Sequence, residues 1–200
     1  MEKTLKGAHI NHHAVGYMLN TELSLKNKNE IEDIQKYFTN EFGSAIWAAP
    51  PVSLHITLLD WLAPLVDYGK SKEELFKRIY KEYDQATSKS LEKIPSITVH
   101  FDTITIGQSA IFISGRDKGE FSRIRQAFLD VVTLLPNTKL PPTIIHSTIC
   151  RFNAEIDMQP LQKAADNILI DFDQTITSFR LVKETIDPMI EFEVIKNYTL

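Results

Sequence analysis

Apolar residues recur at helical spacing in four stretches of the chain and at alternate positions in the intervals between them. From about residue 30 to 42, Ile31, Ile34, Tyr37, Phe38 and Phe42 fall on one helical face, with Asn29 and Glu32 as a start signal. A second helix begins at Ser71, with Glu74 completing a capping box and Leu75, Ile79 and Tyr83 facing inward. The spacing of Phe121, Ile124, Phe128, Val132 and Leu135 predicts a third helix over 120–135. Asp157 and Pro160 open a shorter one through Leu161, Ala164, Ala165 and Ile168.

Strands are predicted near 13–20, 53–61, 143–152, 175–184 and 190–198. Between them, Ile97, Val99 and Phe101 alternate with polar residues, Gly107 and Gln108 supply a turn, and 110–114 return as the partner strand. Helices mixed with hairpins, without strict strand-helix alternation, indicate an α+β fold built on antiparallel sheet. No Pro-, Gly- or Ser-rich linker interrupts the chain, so residues 1–200 are expected to form a single domain.

Composition narrows the class. With 43% hydrophobic and 24% charged residues, the 200-residue chain is too apolar for disorder, and no apolar run approaches a membrane span. Against 22 Lys and Arg stand 26 Asp and Glu, a formal charge of -4 that argues against a sequence-independent grip on long duplex nucleic acid. A lone cysteine, Cys150, excludes an intrachain disulfide, and the polar start of the chain lacks an apolar signal core. A cytoplasmic location is the expectation.

One internal repeat carries the chemistry. Pro50-Pro51-Val52-Ser53-Leu54-His55-Ile56-Thr57 matches Pro141-Pro142-Thr143-Ile144-Ile145-His146-Ser147-Thr148. Each copy sets a histidine and a threonine two positions apart on a strand-like run, so the two side chains project from one face. If a pseudo-twofold axis relates the halves, two imidazoles and two hydroxyls surround one small anion. That set suits a cyclic phosphodiester, where one proton must leave the attacking water and another must reach the departing ribose oxygen. Imidazole, with a pKa of about 6.5, serves as base or acid near neutrality. The hydroxyls of Thr57 and Thr148 would donate to the non-bridging oxygens as charge builds there.

These paired motifs, His55-Ile56-Thr57 and His146-Ser147-Thr148, resemble the signature of the two-histidine (2H) phosphoesterases, which include RNA 2′,5′-ligase-like proteins and 2′,3′-cyclic phosphodiesterases. The resemblance spans nearly the whole chain and implies a bilobal, pseudo-twofold α+β fold. Its antiparallel sheets would flank a central cleft, with helices outside. It also implies a metal-independent hydrolase, with ligation as the reverse direction, acting on a 2′,3′-cyclic phosphate or a 2′,5′ linkage. His55 and His146 would be its catalytic pair, in an order the motifs leave open. The expected partner is a nucleotide or short oligonucleotide, with no membrane and no cofactor, and the chain is expected to act as a monomer in RNA processing. Cyclic mononucleotides, tRNA-derived ends, ADP-ribose cyclic phosphate and 2′,5′-oligoadenylate are equally compatible. A non-catalytic nucleotide or RNA-end binding module using the same cleft is the alternative. Asp60 departs from the basic or apolar residue common at its position in the family.

Several other residues have a stated expectation. Arg151 matches a basic residue that often follows the second motif and would bind substrate phosphate, although strict alternation points it away from His146. Trp61 and Phe152, at the ends of the motif strands, are candidates for stacking on a base. Alternation puts Cys150 on the face of His146 and Thr148, four positions away and too far for activation as a nucleophile. His9, His12 and His13 suggest a metal site, but a strand would turn His12 and His13 to opposite faces, and no carboxylate or cysteine lies beside them. Arg180 and Lys183 are read as solvated charge.

Overall fold

A computed structural model describes residues 3–5 and 10–200 of the chain. Their order is β1 (His12–Glu22), α1 (Leu25–Phe42), β2 (Ile46–Ala48), β3 (His55–Leu62), α2 (Lys72–Leu91), β4 (Ile97–Ile106) and β5 (Ala110–Arg116). There follow α3 (Glu120–Leu129), β6 (Ile145–Phe152), α4 (Met158–Ala165), β7 (Phe172–Ile176), β8 (Ser178–Asp187) and β9 (Glu191–Thr199). The strands form two antiparallel sheets, one ordered β3-β1-β8-β9 and the other β2-β6-β5-β4-β7. The fold is α+β, as expected. No helix among the described residues is long and apolar enough to cross a membrane.

The two motif strands lie in different sheets, β3 at the end of the first and β6 inside the second, and they approach one another where the sheets meet. Alternation gives each strand two faces. On β3, Ile56 and Leu58 are fully buried beneath the helical layer while His55 and Thr57 face the other way. Helix α2 covers β1 and β3, α1 covers β2 and β6, and α4 lies on β4. Trp61 anchors the first of these contacts, its ring 6.1 Å from Phe76, 6.3 Å from Tyr80 and 5.5 Å from Tyr83 between centroids.

Several boundaries differ from the sequence expectation for identifiable reasons. Helix α1 starts at Leu25, capped by the Ser24 hydroxyl, which accepts from the Asn27 amide at 3.2 Å. Its first turn faces inward through Asn27, a buried polar residue whose amide donates to Asp173 O and Gln174 Oε1, so apolar periodicity does not register it. Helix α3 ends at Leu129, where the β-branched run Val131-Val132-Thr133 disfavours continuation, although Val132 still packs into the core. The segment read as one strand over 175–184 is two. The chain leaves the second sheet at β7 and enters the first at β8 across Thr177, with no glycine or proline to mark the switch.

Candidate active site

Both motif strands begin at their histidine or one residue before it, two residues later than the double prolines suggest. In the first copy the intervening residues Pro51–Ser53 form a 3₁₀ turn, and Pro141 and Pro142 stay outside regular structure. The strands then deliver His55, Thr57, His146 and Thr148 to a single cleft of about 370 Å³, a size suited to a small ligand. The two histidines, 91 positions apart in the chain, are close enough for the charge of one to depress the pKa of the other.

The backbone just before each motif strand faces the imidazole. The Nδ1–H of His55 donates to the Ser53 carbonyl at 2.6 Å, which fixes the tautomer and leaves Nε2 as an acceptor. The carbonyl of Ile144, again two residues back, lies near enough to the His146 ring to favour its protonated form. Burial pushes the His55 pKa down to about 4, with the positive charges of Arg180, His146 and Arg151 adding to the shift. Burial also lowers His146, assisted by the Arg125 guanidinium. Both rings are therefore neutral at pH 7 in the free protein.

Arg151 also lines the cleft, which strict alternation does not allow. A β-bulge brings it there. Neighbouring residues Ile111 and Phe112 of β5 pair with Cys150 and Thr148, leaving Ile149 as an extra residue in β6 and inverting the phase beyond it. Cys150 is consequently turned into the core, where burial raises its thiol pKa to about 12; the expectation that it shares the face of His146 is corrected. Strand β3 carries the same irregularity. Leu19 and Asn20 of β1 pair with Leu59 and Thr57, so Leu58 is the extra residue, and Asp60 rather than Leu59 faces the cleft. The repeated word thus extends to a repeated bulge, and it ends in Asp60 on one side and Arg151 on the other.

A buried helical side chain secures each bulge. Arg125 of α3 donates through Nε to Leu58 O and through Nη2 to Thr57 O, both at 3.0 Å, and through Nη1 to Ile144 O at 3.5 Å. It therefore ties the two motif strands together. In the other lobe, Gln35 of α1 donates from Nε2 to Ile149 O at 2.6 Å and to Ala49 O at 2.8 Å. Both residues were absent from the sequence expectations, yet each sits on the apolar face of its helix, four positions after Phe121 and after Ile31 respectively. A polar side chain in that register is the signal that would have found them.

The remaining expectations divide. Trp61 and Phe152 are fully buried and do not line the cleft, so the expected base stacking is corrected; the bulges send both rings into the core. Arg180 is not solvated: it donates to Asn20 Oδ1 at 2.9 Å, pairs with Glu22 at 3.2 Å and lies over the Phe192 ring. Lys183 pairs with Glu73 at 3.2 Å. His12 and His13 head β1 opposite Asp187 and Ile186, His9 lies outside the described residues, and among the described residues no group of histidines, cysteines and carboxylates is arranged to hold a metal ion. The cleft also receives three carboxylates from Asp60, Glu184 and Asp187, the last lying 3.7 Å from Arg151.

No family model matches the sequence, and neither does any of the curated proteins. Solved structures match the fold. TT0787 of Thermus thermophilus superposes with a TM-score of 0.61 at 15% identity, covering 92% of this chain and 97% of its own. E. coli LigT complexed with 3′-AMP gives 0.57 at 16% identity over 94% and 99%, and a phosphoesterase gives 0.61 at 14% over 92% and 98%. LigT has also been crystallised with ATP and with phosphate. The chain has the two-histidine phosphoesterase fold that its repeated motif resembles.

Proposed function

We propose that this protein is a metal-independent phosphoesterase that opens a 2′,3′-cyclic phosphate, or cleaves a 2′,5′ phosphodiester, in a nucleotide or short RNA. The observation that carries this reading is the convergence of two His-x-Thr pairs from separate sheets on one cleft, with the His55 imidazole oriented by the Ser53 carbonyl. The nucleotide and phosphate complexes of E. coli LigT, which shares the fold, support the ligand class.

In the hydrolytic direction His55, the more strongly depressed of the two, is the base: its free Nε2 takes a proton from water as the water oxygen bonds to phosphorus. As the bond from phosphorus to the ribose oxygen breaks, His146 gives its proton to that oxygen. The anionic substrate supplies this proton-holding role by raising the His146 pKa on binding. Thr57, Thr148 and Arg151 donate to the non-bridging oxygens, where negative charge accumulates. Reversal of the reaction exchanges the two histidine roles.

Replacing either His55 or His146 by alanine is expected to lower kcat/KM on 2′,3′-cyclic nucleotides by about 10²- to 10⁴-fold with the thermal transition preserved. Activity of the unaltered protein is expected to persist in excess chelator. Full turnover by either variant would sink the mechanism. Nucleotide binding without product formation by the unaltered protein would favour the binding-module alternative.

A further inference from the structure

One end of the cleft is unlike the phosphate-binding end. Asp60 on β3 stands opposite Met18 of the intervening strand β1, Glu184 on β8 stands opposite Gly16 two residues away, and the side chains of Asp60, Met18 and Glu184 line the cavity. Two strand spacings and a two-residue offset separate the carboxylates at the backbone, about 12 Å. The segment from Ala63 to Val66 also lines the cavity and packs over β1 at Gly16, where an added Cβ would lie 3.0 Å from Pro64. Met18, Pro64 and Leu65 give this part of the cleft an apolar lining, a slot that a flat ring can lie against, and Asp60 and Glu184 add carboxylates to it.

Glu184 marks this as a ligand site. Its side chain is 1% exposed, Oε1 accepts from the Met189 amide, and Oε2 has no hydrogen-bond partner. A buried carboxyl oxygen without a partner is costly in a folded protein, and here it borders a cavity. Asp60 lies close enough to Glu184 for the two charges to oppose one another. A second phosphate is therefore excluded from this end, and a neutral group rich in N–H donors fits it.

We propose that this slot is a base-recognition subsite and that it selects guanine, with the Asp60 carboxylate accepting the two adjacent N–H groups of the guanine edge. The proposal rests on the phosphoesterase reading of the cleft and deepens it. Among the common bases only guanine offers two neighbouring N–H donors; adenine and cytosine set an acceptor beside their amino group, and uracil sets its single N–H between two acceptors. A carboxylate is repelled by each of those acceptors. Glu184 completes the match. Burial raises its pKa to about 8, so at pH 7 it is a neutral acid with an O–H to give to the guanine carbonyl. Lys139, which also lines the cleft, offsets the charge of Asp60 and helps keep it ionised despite its burial.

The test compares guanosine, inosine, adenosine, cytidine and uridine 2′,3′-cyclic phosphates as substrates, together with the binding of guanosine and uridine 3′-monophosphates by calorimetry. The guanosine compounds are expected to lead their counterparts by about tenfold or more in kcat/KM and in affinity, with inosine, which lacks the amino group, falling behind guanosine. Asp60→Leu and the isosteric Asp60→Asn, each checked for an unchanged thermal transition, are expected to collapse the guanosine-to-uridine ratio toward one. Equal use of all bases by the unaltered protein, or a ratio untouched in both variants, overturns the subsite and leaves the phosphoesterase reading intact. Absence of turnover on every compound overturns the cyclic-phosphate form of that reading, and the calorimetric ratio then still decides the subsite.

Discussion

At the scale of single residues, burial in the cleft favours the neutral forms of His55, His146 and Glu184 in the free protein. In the proposed mechanism His55 has to be unprotonated to act as base, so its depressed pKa of about 4 is expected to set the acidic limb of the pH profile. His146, the acid of that mechanism, has to be protonated, and its pKa, lowered from 6.5, is expected to set the alkaline limb. The bell for kcat/KM is therefore expected to have its maximum below pH 6.5, because that constant reports the free protein. The profile for kcat should extend to higher pH, since bound phosphate raises the acid's pKa. A kcat/KM maximum at pH 8 would remove this assignment of roles. The duplicated histidines and threonines were legible in the sequence because a two-residue spacing on a strand is independent of everything around it. Glu184 was not legible: only the packing of β8 against β1 and its bond to Met189 distinguish it from an ordinary strand glutamate.

At the scale of elements, the decisive features are the two bulges and the helices that secure them. Arg125 satisfies the Thr57 and Leu58 carbonyls of β3 and reaches the Ile144 carbonyl just before β6, so Arg125→Met removes the donor from both β3 acceptors and the link between the motif strands. Chemical denaturation is expected to show a loss of about 3 kcal/mol, with kcat falling as well. Gln35→Leu should cost less, about 1 kcal/mol, because Ile149 O keeps its bond from the Ala49 amide. If Arg125→Met proves neutral in both stability and kcat, the clamp has no positioning role. Helix faces and the 97–114 hairpin were readable from periodicity, since each follows a single local rule. The bulges were not. Leu58 and Ile149 are as aliphatic as any strand residue, and only pairing with β1 and β5 shows that each is one residue too many. Strict alternation past those points assigned Cys150 and Arg151 to the wrong faces.

At the scale of the whole molecule, buried acids couple the cleft to stability. Glu184 keeps its proton up to about pH 8 when folded, against 4.5 for the free side chain, so its contribution is complete below 4.5 and is lost as pH rises through 8. Asp60 behaves alike over a lower range, from 3.8 to about 6. His55 acts oppositely, its contribution being present above 6.5 and lost as pH falls toward 4. Of these three groups only Glu184 still titrates above 6.5. Stability is expected to decline between pH 6.5 and 8, and Glu184→Gln should flatten that decline in thermal melts. An unchanged slope in the variant would show that the burial of Glu184 does not govern it.

The route of the chain between its two sheets has a further consequence. It enters the first with β1, visits the second with β2, returns with β3, builds β4 to β7 in the second, and finishes the first with β8 and β9. No single scission can hand each fragment a finished sheet. Halves expressed separately should therefore be inert alone and regain turnover only on mixing, because each donates a strand that the other's sheet lacks.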